Sequence, residues 1–175
     1  QNIIDNTEDT KLSNQIKLTG IKKRNIANQK SKIKTSDLCI KSAEQIFKLT
    51  KIKKSQIKFI IFVSQTRDYI FPSTACIIQE KLKLKKETIC FDVPLGCSGF
   101  VYGLYLSKLI SKNIKSSGLL LCGDMSSKFI NYNDKSTSCL FGDAGSAILI
   151  EYKKNNKSLF SLSSDGSGFE NIIMK

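Results

Sequence analysis

Cys97 is the residue around which a chemistry can be written. It stands in the run Cys90-Phe91-Asp92-Val93-Pro94-Leu95-Gly96-Cys97-Ser98-Gly99-Phe100. There an apolar strand pattern gives way to a turn over Pro94 and Gly96, and a long apolar helix pattern begins. A cysteine at a helix start feels the partial positive charge of free backbone N–H groups, which favours thiolate over thiol. Ser98 and Gly99 keep its neighbourhood small, and Gly96 and Gly99 leave room for a substrate to approach the backbone. This is the layout of an activated nucleophile at a strand-to-helix elbow. The same residues also fit a small core cysteine, since free Cys is among the most buried residue types. The chain has no histidine, so it carries no imidazole to act as general base near neutral pH. Chemistry at Cys97 must rely on the helix start alone or on a base from elsewhere.

The composition frames what can surround that sulfur. At 175 residues the chain can build one ordinary domain with a core. A hydrophobic fraction of 41% and a charged fraction of 25% are those of a soluble globular protein. Cys39, Cys76, Cys90, Cys97, Cys122 and Cys139 form no C-x-x-C pair, and without histidine no zinc set closes, so no metal site is expected. Most of them sit inside apolar runs and read as reduced thiols, which points to the cytoplasm. No apolar run approaches the ~20 residues of a membrane span. No leader peptide is legible, and the start at Gln1 suggests lost upstream residues. The net charge of +13 is lysine dispersed along the chain, without the interleaved aromatics of a nucleic-acid surface. It suits an acidic protein or a phosphorylated ligand better.

The elements that must position Cys97 follow from periodicity. Residues 1–34 read as basic surface loops with one short helix near 11–18. Thr35-Ser36-Asp37 opens an amphipathic helix, with Ser36 or Thr35 as its cap. Leu38, Ser42, Ile46 and Leu49 form one stripe, with Cys39, Ala43 and Phe47 beside it. Ile57 to Val63 is too apolar for a half-exposed strand and reads as a central one. A helix is expected from Ser73 to Leu84 and a second buried strand from Thr88 to Val93. The helix from Cys97 to about Lys112 is apolar nearly all round, which places it in the middle of the molecule. Gly118 to Cys122 is a third buried strand. Ile148 to Tyr152 and Ser158 to Leu162 are expected to pair as a hairpin. Alternation followed by a hairpin implies a mostly parallel sheet with one antiparallel member. Ligands of such sheets sit beyond the carboxyl ends of strands.

Taken together, several short pieces resemble a known family. They are Thr19-Gly20-Ile21 with Arg24; Phe71-Pro72-Ser73 with Ala75 and Gln79; Asp92-Val93 and Cys97-Ser98-Gly99-Phe100; Gly123-Asp124; Phe141-Gly142-Asp143; and Ser164-Asp165-Gly166. Their order and spacing are similar to the N-terminal half of β-ketoacyl-[acyl-carrier-protein] synthase III, within the thiolase superfamily. The resemblance implies an α/β, thiolase-like half-fold: a five-stranded mixed sheet with helices on both faces, layered αβαβα when complete. Residues 1–175 would then be one N-terminal lobe, with the family's first strand missing upstream and the C-terminal lobe absent.

The resemblance further implies that Cys97 takes an acyl group from a thioester. A His and an Asn of the second half would assist decarboxylation of malonyl-ACP before condensation. Phe71 matches a side chain that reaches into a neighbouring subunit's acyl pocket in a homodimer, and also fits a hydrophobic staple beside Pro72. Phe141 matches a pocket-lining side chain, and also fits a core aromatic. Lys135 stands where many members have an arginine at the CoA site, and lacks its planar stacking face. The Trp and Arg that hold the CoA adenine are replaced by Asn14 and Leu18. No resident cofactor is implied; acyl-CoA or, given these departures, acyl-ACP would be substrate, and an acidic ACP suits the charge. Asp92, Asp124 and Asp143 read as structural, fixing loops by side-chain-to-backbone hydrogen bonds. The expected activity is that of an acyltransferase or condensing enzyme when complete, with the isolated chain inactive. The alternative is a catalytically incomplete or scaffold lobe that pairs with a separate C-terminal lobe. Neither nucleic acid nor membrane is an expected partner.

Overall fold

The computed structural model describes residues 17–27, 31–155, 157–171 and 173. Its elements are α1 (Thr35–Thr50), β1 (Ile57–Val63), α2 (Thr74–Lys81), β2 (Ile89–Val93), α3 (Gly99–Ile114), β3 (Ser117–Met125), the short α4 (Lys135–Ser138) and β4 (Asp143–Ile150). The strands lie in the order β2-β1-β3-β4. β1 runs parallel to both β2 and β3, and β4 is antiparallel to β3.

β1 is buried on both faces because helices cover both. Ile60 and Phe62 join Cys39 and Ala43 of α1 and Ala75 and Ile78 of α2 in one core layer. Phe59, Ile61 and Val63 join Leu120, Val93 and the α3 residues Leu104 and Ile110 in the other. Alternation along one strand thus feeds two cores. The fold class is α/β as expected, with the mixed sheet drawn from four strands among the described residues.

Several expectations change. β2 is an edge strand and only partly buried; Ile89 is 43% exposed. Its apolar sequence does not reveal where it stands in the sheet. β4 starts at Asp143, five residues before the expected Ile148. Its Gly-Ser-Ala start reads as loop, but those small residues admit α1. A Cβ on Gly145 would lie 2.6 Å from the Cys39 backbone nitrogen. Residues 158–162 form no strand. Leu159 projects fully into solvent, and Phe160 instead meets Tyr105 of α3 edge-on, 5.3 Å between ring centres. Residues 17–19 are helical; the remainder of the helix expected over 11–18 lies outside the described residues.

α1 is closed not by Ser36 or Thr35 but by Asp37, whose carboxylate accepts the Lys34 N–H at 2.9 Å. Thr35 Oγ1 donates to the Thr66 carbonyl and Ser36 Oγ to Asp68, so both hydroxyls anchor the loop after β1 instead. Cys39 and Ala43 form the buried stripe of α1, while Leu49 is exposed.

α3 departs most from expectation. It buries a stripe of small residues, Gly99, Gly103, Ser107 and Ser111, at four-residue spacing. A Cβ on Gly103 would stand 2.7 Å from Val63 Cγ2 and 2.8 Å from Leu120 Cδ1. The helix therefore rides close to the sheet, and Phe100, Val101 and Leu109 are left about half exposed on its outer side. Covering the exposed half of each such side chain is worth about 0.7–1.5 kcal/mol, half the figure for full burial.

The turns entering the strands share another feature. Lys51, Lys83 and Lys115 have positive φ of 58°, 54° and 50°. They follow α1, α2 and α3 and lead toward β1, β2 and β3, all on the amino edge of the sheet.

Candidate active site

The parallel strands aim their carboxyl ends at one edge. Beyond β1 runs the 64–73 loop carrying Phe71. Beyond β2 comes the elbow carrying Cys97. Beyond β3 come α4, headed by Lys135, and Phe141, before β4 departs from the same edge. Topology thus gathers the segments bearing all four residues singled out in the sequence.

Four aspartates hold these segments. Asp92 Oδ1 accepts from Ser73 Oγ and the Ala75 N–H, both at 2.8 Å, and Oδ2 accepts the Thr74 N–H at 2.7 Å. A carboxylate from β2 thereby caps α2, where free N–H groups and the helix dipole favour negative charge. Asp124 Oδ1 accepts from Ser64 Oγ at 3.0 Å, the N–H groups of Gln65 and Thr66 at 2.8 and 2.9 Å, and Thr66 Oγ1 at 3.0 Å. Asp143 binds the Ala27 N–H, the Ser127 N–H and Ser127 Oγ. These three fix loops as expected. Asp68, not foreseen, accepts from the Ser36 N–H and hydroxyl.

Cys97 lies in a turn, two residues ahead of α3 rather than at its first position. The Gly99 N–H donates to the Gly96 carbonyl at 2.8 Å, closing the turn around it. Among the described residues, the N–H groups of Cys97 and Ser98 carry no internal hydrogen bond. Cys97 is exposed, whereas Cys39 is fully buried.

Three thiols of the sheet layer are shifted upward. Burial pushes Cys39 and Cys90 up to about 12, and Cys122 to about 11. Neighbouring acidic groups add to the rise in each. Such thiols stay protonated at neutral pH and are poor nucleophiles. No group of His, Cys, Asp and Glu able to hold a metal occurs among the described residues.

Phe71 is 82% exposed, with Tyr69 and Ile70 also outward beside it. It is not the staple that its position before Pro72 allowed. Phe141 is about half exposed rather than a core aromatic, and its carbonyl accepts from Arg24 Nη1 at 3.1 Å. The side chain of Lys135 and all of Asn14 lie outside the described part. One residue at the elbow carried no motif. Gln65, just past β1, packs its carboxamide against Gly96. Only its place beyond a parallel strand's carboxyl end could have flagged it.

A family model for 3-oxoacyl-[acyl-carrier-protein (ACP)] synthase III matches residues 91–166. A putative 3-oxoacyl-[acyl-carrier-protein] synthase 3 of Campylobacter jejuni is 33% identical, over 98% of this chain and 50% of that protein. A β-ketoacyl-[acyl-carrier-protein] synthase III of Chlamydia muridarum is 41% identical, over 75% of this chain and 40% of that protein. Among solved structures, a 3-oxoacyl-(acyl-carrier-protein) synthase III superposes with a TM-score of 0.88 at 32% identity, covering 98% of this chain and 51% of that one. The chain spans about half the length of the curated relatives it matches.

Proposed function

We propose, from the premise that the chain is 3-oxoacyl-[acyl-carrier-protein] synthase III-like over nearly its whole length, that residues 1–175 are the nucleophile-bearing lobe of an acyl-thioester condensing enzyme. One observation carries the reading: Cys97 is exposed in the tight turn before α3, at the edge where the parallel strands end, while Cys39, Cys90 and Cys122 are held as thiols. The Cys97 thiolate attacks a thioester carbonyl carbon and a new carbon–sulfur bond forms. The oxyanion is received by backbone N–H groups, of which Cys97's own is one. Collapse breaks the original carbon–sulfur bond, and the departing thiolate takes up a proton. An acyl-enzyme and a free thiol result.

The acyl donor is acyl-CoA or acyl-ACP, bound as substrate. The net charge of +13 favours an acidic carrier protein. In the complete enzyme, a His and an Asn from the second lobe act on malonyl-ACP. Loss of carbon dioxide leaves a carbanion, which attacks the acyl-enzyme and returns the Cys97 thiolate. Phe71 and Phe141 contact the acyl group and Lys135 the donor's phosphates. The outward Phe71 and the open β2 edge suit a homodimer. No described helix is long and apolar enough to cross a membrane, and the free thiols fit a cytoplasmic setting.

The test is acylation of the chain, completed by its second lobe, with a radiolabelled acyl thioester. Cys97 carries the label and Cys97→Ser abolishes it. Label on another cysteine with Cys97 untouched overturns the reading. A second reading, an incomplete lobe that pairs with a separate C-terminal lobe, is favoured by the half-exposed Phe100, Val101 and Leu109 on α3. It predicts no turnover by the isolated chain.

A further inference from the structure

We infer that Gln65 is a positioning residue for Cys97, holding the turn that presents the sulfur; the consequence for catalysis rests on the function proposed above. A Cβ at position 96 would lie 2.5 Å from Gln65 Oε1, 2.6 Å from Cδ and 2.9 Å from Nε2. The carboxamide therefore fills the space that any side chain at 96 would need. Gly96 is next to the nucleophile, and its carbonyl closes the turn around Cys97 through the Gly99 N–H.

Gln65 is itself held from the other side. Its N–H donates to Asp124 Oδ1 at 2.8 Å, as does that of Thr66 at 2.9 Å. The Thr66 hydroxyl accepts the Met125 N–H at 2.8 Å. β3 thus fixes the loop after β1, and that loop presses one side chain onto the elbow after β2. Gly99 seals the far end of the same turn, where a Cβ would stand 2.6 Å from Val63 Cγ1. The elbow is gripped between the last residue of β1 and the first residues beyond it. No positive φ attaches to Gly96, so alanine is conformationally allowed there. Its methyl would evict an exposed, movable amide without unfolding the chain.

This pairing makes a reciprocal prediction. Gln65→Ala and Gly96→Ala each loosen the elbow, and the double variant restores it, because the methyl at 96 occupies the vacated space. Exchange of the hydrogen-bonded Gly99 amide, read by mass spectrometry on the full chain, should rise at least fivefold in each single variant. It should return to within twofold of wild type in the double, with β1 and β3 unchanged. In the completed enzyme, Gln65→Ala should slow acylation of Cys97 by acetyl-CoA about tenfold, because attack on a carbonyl is geometrically demanding. Alkylation by iodoacetamide, which is not, should stay within twofold.

Unchanged exchange in Gln65→Ala, or single effects that multiply in the double, overturns the assignment. So does an equal loss toward both reagents. If wild-type Cys97 accepts no acyl group, the proposed function falls, while the exchange measurement still decides the role of Gln65.

Discussion

The elbow before α3 and the layer between the sheet and its helices put the same side chain to opposite uses. Cys97 is exposed in a turn where the Gly99 N–H donates to the Gly96 carbonyl and, among the described residues, the N–H groups of Cys97 and Ser98 carry no internal hydrogen bond. Cys39 sits under α1 with no exposure, beside Gly123 and within reach of the charge of Asp124. Desolvation disfavours the thiolate there. The difference lies in the backbone each residue stands on. A helix interior facing a sheet buries its thiol, and a turn past the end of a strand releases it. Cysteine content alone therefore says nothing of reactivity; position relative to the sheet edge does.

The strongest test of this contrast is alkaline unfolding. A thiol raised from 9.0 to about 12 binds its proton more tightly in the folded chain than in the unfolded one. Its contribution to stability is complete below pH 9.0 and is lost as pH climbs toward the folded value. For Cys39 the loss is about 1.4 kcal/mol per pH unit above 9.0. Urea unfolding between pH 8 and 11 should show at least this slope, because Cys90 and Cys122 add to it, and Cys39→Ala should make it shallower without abolishing it. A flat wild-type profile would mean that the layer is open to solvent.

Alkylation is the next test. At pH 8, iodoacetamide should modify Cys97 at least ~100-fold faster than Cys39, with Cys76 also labelled because it too is exposed. Peptide mapping over a time course gives the ranking. Comparable rates at Cys97 and Cys39 would erase the distinction.

Asp92 sharpens the comparison from outside the thiols. Asp92→Ala removes an acceptor for two N–H groups at the start of α2 and should cost about 2 kcal/mol in urea unfolding. Because those bonds are made to residues 73–75 and not to the turn at 96–99, alkylation of Cys97 should change less than twofold. A large change in both would join the two regions into one unit.

Much of this arrangement is legible from residue order. The apolar run of β1 from Phe59 to Val63 reads as a strand covered on both sides, and it is. The aspartates at strand ends had no apolar reason to be there, and they proved to be clasps. What escaped is set by neighbours distant in sequence. Ile89-Cys90-Phe91 reads as buried, yet among the described residues β2 has a partner on one side alone, because strand order places it last. α3 reads as a central helix because its large residues point every way. The small stripe from Gly99 to Ser111 was visible at four-residue spacing, but sequence alone does not say that the sheet takes that stripe. Gln65 belongs to no motif, and only the approach of Gly96 gives it a role.

The left-handed lysines 51, 83 and 115 carry one more consequence. A residue with a Cβ in that conformation costs roughly 1–2 kcal/mol that glycine would not. Lys51→Gly, Lys83→Gly and Lys115→Gly should each raise the unfolding free energy read by urea titration by up to about 1 kcal/mol once the looser unfolded chain is counted. This backbone cost thus sits in three turns at the amino edge, where it can be relieved without disturbing the Cys97 end.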